Sequence, residues 1–175
     1  MWASYEQAVI RLQAQGLPML LRSAPSGIVQ GAFPYEGPVH VVTAWNPAGR
    51  VLSLEANRAL EQALVADPGL LGLKVHACTG GDLSGSHQEP SLMIEDLATD
   101  SALALGRRYG QDAIFRWTRT TLDLLTCAGG ACITRGWTLG RQHAAVQTAG
   151  GLAGAAGTAG LARARRGPDP VSWTR

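Results

Sequence analysis

The run Val39-His40-Val41-Val42-Thr43-Ala44-Trp45 constrains this chain more than any other stretch. It is β-branched and apolar at both odd and even positions, so a strand made from it needs cover on both faces. A strand open to water on one side would alternate. Asn46-Pro47-Ala48-Gly49 follows as turn chemistry, and Ser53 stands where it can cap a helix. That helix carries Leu60 and Leu64 on one face and ends before Pro68-Gly69.

The same reading extends in both directions. Leu70 to Cys78 is expected as a second strand, followed by a polar, glycine-rich loop from Thr79 to Gln88 and a third strand from Glu89 to Ile94. A second helix is expected over about Ser101 to Tyr109, with Ala102, Leu105 and Tyr109 at helical spacing and Gly110 at the left-handed C-terminal position. Ala113 to Trp117 and Thr121 to Cys127 are expected as two further strands joined by a short turn. Ahead of these, residues 2–15 read as an amphipathic helix stopped by Gly16 and Pro18, with some strand character near Ile28 to Phe33. The order βαββαβ predicts an α+β, ferredoxin-like antiparallel sheet with helices on one face. The N-terminal helix and an extra C-terminal hairpin strand are additions to it.

Past Trp137 the pattern fades. Residues 1–143 are expected to form a single domain, and residues 144–175 an Ala/Gly-rich, Arg-containing disordered tail. A membrane span over 144–162 is rejected, because Val146, Leu152 and Leu161 are its only large aliphatic residues. The whole chain is 46% hydrophobic and 16% charged, which excludes disordered, collagen-like and coiled-coil classes. Its formal charge of +2 belongs to the tail: residues 1–143 hold 11 Lys and Arg against 12 Asp and Glu, net −1, and the remainder four Arg against one Asp, net +3. Nucleic acid is therefore not the expected partner, since phosphate neutralisation requires basic excess in the folded part.

Cys78, Cys127 and Cys132 are an odd count, and Met1-Trp2-Ala3-Ser4-Tyr5-Glu6 lacks the charged and apolar regions of a signal peptide. A cytoplasmic, reduced protein is the expectation. Cys127 and Cys132 with His76, Cys78 or His87 could assemble a zinc site only from loosely spaced ligands, so no metal and no cofactor is assigned.

Thr43-Ala44-Trp45-Asn46-Pro47, then Gly49, Leu52-Ser53 and Asn57, together with Glu89-Pro90-Ser91 and the string from Leu105 to Ile114, resemble the bacterial domain of unknown function 3293 family over roughly residues 38–118. The resemblance implies a cytosolic bacterial protein and no assigned activity. Where such sequences often place a tryptophan ahead of Glu-Pro-Ser, this chain reads Ser86-His87-Gln88.

The ferredoxin-like topology would bring Asn46, Asn57, Glu89, Ser91 and Gln111 to one edge, overhung by the loop holding Asp82, Ser84 and His87. Asn57 shares the inward face of Leu60 and Leu64, where a buried amide needs partners. One reading makes these residues caps and turn ligands. The other makes them the binding edge for a small polar ligand or a protein partner. A hydrolase using Glu89 with His87 or Asp82 is the alternative, although neither Ser84 nor Ser91 sits on a nucleophile elbow. Weak nucleic-acid binding through the Arg tail is a further one.

Overall fold

The computed structural model describes residues 5, 7–129 and 132–142. Among them nine strands are present: β1 (Val9–Ala14), β2 (Leu17–Ala24), β3 (Val29–Gln30), β4 (Val39–Thr43), β5 (Val75–Gly81), β6 (Gln88–Glu95), β7 (Ala113–Trp117), β8 (Leu122–Thr126) and β9 (Cys132–Arg141). Helix α1 (Leu54–Val65) lies between β4 and β5, and α2 (Thr99–Arg108) between β6 and β7. The strands follow one another as β2-β1-β5-β6-β4-β7-β8-β9, and β9 pairs back onto β2 from Met19↔Arg141 to Ala24↔Gly136. The sheet is thus a closed, eight-stranded antiparallel barrel, with the short β3 attached in parallel to β9.

This closure overturns the expected open ferredoxin-like α+β sheet. Strands β5, β6, β4 and β7 are adjacent and antiparallel, as that pattern requires, but they form one arc of a ring. The strands that complete the ring come from segments whose local pattern points elsewhere. Where a helix is expected over residues 2–15, Val9–Ala14 is instead β1, joined to β2 by a two-residue turn at Gln15 (φ 53°) and Gly16 (φ 74°), while residues 2–4 and 6 lie outside the described residues. Two successive positive φ values match the twist of a tight hairpin, and glycine takes such a value without strain. Ile10 and Leu12 are two apart and point together into the barrel, a strand period that the flanking Glu and Gln residues disguise. The expected C-terminal hairpin strand is β8, and β9 continues beyond it through Gly136 and Gly140. A side chain at 136 would collide with the Ile28 carbonyl oxygen, so glycine there permits the 25–29 segment to lie across β9.

Both faces of Val39–Thr43 are covered, one by the barrel interior and one by helices. Val39 and Val41 pack inward with Met93, Trp117, Leu122 and Trp137. Val42 and Ala44 pack outward with Leu92, Ile94 and Ile114 against Leu64, Ala102 and Leu105 of the helices. Ser53 caps α1 by accepting from the Ala56 N–H at 3.2 Å. The C-terminal ends of the helices are tied by Asp67, which accepts from Arg108 Nη1 at 2.7 and 2.8 Å and from the Tyr109 hydroxyl at 3.0 Å. Burial alone would raise that carboxyl, but these bonds and the Gly69 N–H hold it below its ordinary value.

One end of the barrel is plugged. Phe33 stands edge-on to Trp117 at 4.9 Å between centroids, and Trp117 edge-on to Trp137 at 5.3 Å. Tyr35 closes over them beside His76, whose Nε2 lies 2.7 Å from Glu95 Oε1. Burial, with Cys78 and Glu95 adding to it, pushes the Tyr35 phenol up to about 12. The described part of residues 1–143 forms one compact unit, while residues 144–175, including the expected tail, lie outside the described residues. No described helix is long and apolar enough to cross a membrane.

Candidate functional site

The opposite end of the barrel is hollow. A cavity of about 730 Å³ enters there, among the first residues of β1, β6 and β7 and the last of β4 and β5. Its walls are apolar where the strands face inward, at Ile10, Val41, Ala113 and Phe115. Polar side chains crowd its rim: Thr43, Asn46, His87, Glu89, Ser91 and Gln111. Eight strands leave an interior just wide enough for either packed side chains or one small ligand, and this barrel has packing at one end and space at the other.

The rim is built around Asn46. Its backbone is left-handed (φ 49°, ψ 54°), and so is that of Ala48 (φ 52°), followed by Gly49 (φ 69°). Asparagine tolerates that region and alanine does so at a cost, so the turn is held by its surroundings. The Asn46 N–H donates to Asn57 Oδ1 at 2.9 Å, and the Asn57 amide donates back to Asn46 Oδ1 at 3.0 Å. The Leu52 N–H also donates to Asn46 Oδ1, at 3.1 Å. Asn46 Nδ2 then reaches across to Glu89 Oε1 at 2.8 Å. Asn57 is 3% exposed, and its amide is satisfied on both sides.

Gln111 joins from β7's approach. Its Nε2 donates to the carbonyls of Trp45 at 3.0 Å and Tyr109 at 3.3 Å. The Ala48 N–H donates to Gly110 O at 2.7 Å, and a side chain at 110 would meet the Pro47 ring, so the two turns interlock. The structure therefore joins Asn46, Asn57 and Glu89 directly, and Gln111 through the Trp45 carbonyl. Ser91 is buried on the same wall and donates to the Glu89 carbonyl at 3.0 Å.

His87 Nε2 lies 3.4 Å from Glu89 Oε1 and its side chain is 61% exposed. Asp82 is occupied differently. Its two oxygens accept from Ser84, Gly85, Ser86 and His87, closing the 82–87 loop. Hydrogen bonds from Ser86 and Ser84 hold its carboxyl well below the usual carboxylate range. It is a loop-forming ion and a poor proton donor. Ser84 is likewise bonded within that loop, at 2.8 Å to Asp82 and 3.0 Å to Ser86.

The thiols do not converge. Cys78 packs in the barrel interior, Cys127 packs under the helices and Cys132 is exposed. Burial raises the thiol pKa of both Cys78 and Cys127. His76 is at the plugged end with Glu95, and His87 is at the hollow one.

Sequence reasoning missed the walls. Val41, Ala113 and Phe115 line space only because the ring closes, and closure depends on β1, β2 and β9. The signal was present in Ala113-Ile114-Phe115-Arg116-Trp117, whose alternate residues face the interior while Ile114 faces the helices.

No curated protein and no solved structure matches this chain. The profile of one family, described as protein of unknown function (DUF3293), matches residues 42–114, the span that contains Asn46, Asn57, Glu89 and Gln111 and both helices. The interlocked Trp45–Ala48 and Gly110–Gln111 turns lie inside that span, so the similarity to the DUF3293 family covers the stretch that builds the mouth of the barrel.

Proposed function

We propose that this protein is a binding module that takes a small, polar-headed ligand into the hollow end of its barrel. The supporting observation is the cavity of about 730 Å³ with apolar walls and convergent polar groups on its rim. That volume lies within the range of roughly 300–1,000 Å³ common to small-molecule sites. The ligand's apolar part would lie against Val41 and Phe115, which are paired across β4 and β7, and its polar part at Glu89, Ser91 and Gln111. The location is proposed as cytoplasmic, in keeping with three free thiols. The near-neutral charge of residues 1–143 favours such a ligand, or a protein partner at the rim, over nucleic acid.

A hydrolase reading draws on the contact between His87 and Glu89 at 3.4 Å. The hydrogen bonding of Asp82 and Ser84 within their own loop weighs against it. Neither residue is free to act as acid or nucleophile on a molecule in the cavity.

A neutral fluorescent probe, N-phenyl-1-naphthylamine, tests the cavity directly. The full chain should bind it saturably with one probe per protein, and Ala113→Phe, which fills the interior, should abolish binding while the melting temperature is kept. Equal binding by Ala113→Phe and wild type would show that the probe sits elsewhere and defeat the reading.

A further inference from the structure

The rim's hydrogen bonds are directional in a way that selects the ligand. The Thr43 hydroxyl donates to Pro90 O at 2.9 Å, the Ser91 hydroxyl to Glu89 O at 3.0 Å, and the Gln111 amide to Trp45 O at 3.0 Å. The Asn46 amide donates to Glu89 Oε1 at 2.8 Å. Every donating hydrogen here comes from an O–H or an amide N–H and every receiving atom is a carbonyl or carboxylate oxygen, so these directions are forced. Four polar side chains on the cavity's rim have thus committed hydrogens to the protein itself.

Apart from the second N–H of Asn46, what they leave for a ligand is lone pairs. Glu89 Oε1 is engaged by Asn46 and approached by His87, whereas Glu89 Oε2 has no hydrogen-bond partner among the described residues. Gln111, with its nitrogen fixed on two carbonyls, keeps Oε1 as an acceptor. The charge agrees. Asp82, Glu89 and Asp112 are all on the cavity lining, and no lysine or arginine is. A carboxylate head group would meet three like charges and few donors there. A neutral hydroxyl could give one hydrogen and would leave the Glu89 charge unmatched. An ammonium gives several donors and a charge, and its apolar body can pack against Phe115 on the same lining.

We propose that the ligand is an organic cation, a protonated amine on an apolar body, whose N–H groups reach Glu89 and Gln111 while the body lies against Val41 and Phe115. This rests on the cavity being a binding site, and it narrows that reading to one class of head group.

Three probes share an indole body and differ in the head: tryptamine is a cation, tryptophol neutral and indole-3-acetate an anion. Each is used to displace N-phenyl-1-naphthylamine from the full chain. Tryptamine should bind about tenfold or more tighter than tryptophol, with indole-3-acetate weakest, as expected for a charge-assisted bond. Glu89→Gln retains an acceptor for Asn46 and should bring tryptamine to the affinity of tryptophol. A second measurement needs no variant: raising salt from about 0.05 to about 1 M should weaken tryptamine and leave tryptophol unchanged. Tryptophol or indole-3-acetate matching tryptamine, a salt-independent tryptamine affinity, or undiminished tryptamine binding by a folded Glu89→Gln would overturn the cation assignment while leaving the cavity reading intact. Failure of the neutral probe itself to bind would overturn both.

Discussion

Asn46 carries the mouth of the barrel with one side chain and one backbone N–H, because its left-handed turn aims both at Asn57 while its amide crosses to Glu89. Asn57→Ala removes two of these bonds inside a buried site and should destabilise the protein by about 1–3 kcal/mol in denaturant unfolding. In a double-mutant cycle Asn46→Ala and Asn57→Ala should couple by roughly 0.5 kcal/mol or more, and additivity would mean that the two amides act independently. These residues are legible in the amino-acid sequence. Turn chemistry at Asn46 and the helical spacing from Asn57 to Leu60 and Leu64 are local properties, and the antiparallel order of β5, β6, β4 and β7 suffices to bring them to one side. A different buried residue contributes to the response to acid between the ordinary histidine range and the carboxylate range. His40 is 1% exposed, its Nε2 is 3.3 Å from the Thr99 hydroxyl, and burial with the nearby Arg116 charge lowers its pKa to about 4. Asp123, paired with Arg116 at 2.8 Å, completes the charges on that row of strands. The unfolded chain takes up the His40 proton below about 6.5 and the native one only near 4, so stability is complete above 6.5 and falls as pH drops between those values. The loss should be roughly 3 kcal/mol, and His40→Leu should flatten the pH dependence of the melting temperature across that window.

At the scale of elements, the segments that sequence pattern misplaces are those whose pairing partners are remote along the chain. The β1 and β2 strands lie at the start of the chain, yet β1 pairs with β5 and β2 with β9. An amphipathic stretch of six residues such as Val9–Ala14 fits a helix or a strand until its neighbours are known. In β9, Gly136 and Gly140 lower the intrinsic strand signal, although Trp137 is wholly buried at the plugged end. This gives a test by truncation. Ending the chain at His143 leaves all nine strands whole and should preserve the melting temperature. Ending it at Gly129 removes β9 and with it both the β8 and β2 pairings, and cooperative unfolding should be lost. A fall of more than a few degrees in the first variant would show that residues beyond 143 pack on the barrel.

For the molecule as a whole, the span that matches the family and the ring that makes the cavity are different sets of residues. Positions 42–114 hold most of the rim and both helices, while β1, β2, β8 and β9 lie outside and complete the wall. Closure has a further consequence. An open sheet has two edges whether folded or damaged, but a barrel has none until a seam parts, and then it has two at once. The seam between β2 and β9 joins Met19 to Arg141 across nearly the whole described chain, so it is the contact with the greatest loop entropy to overcome. A molecule caught with that seam open presents two long, apolar-sided strands with unpaired backbone groups, each a template for a strand from another copy. The barrel's protection against edge-to-edge pairing is therefore expected to last only as long as that one zipper stays shut.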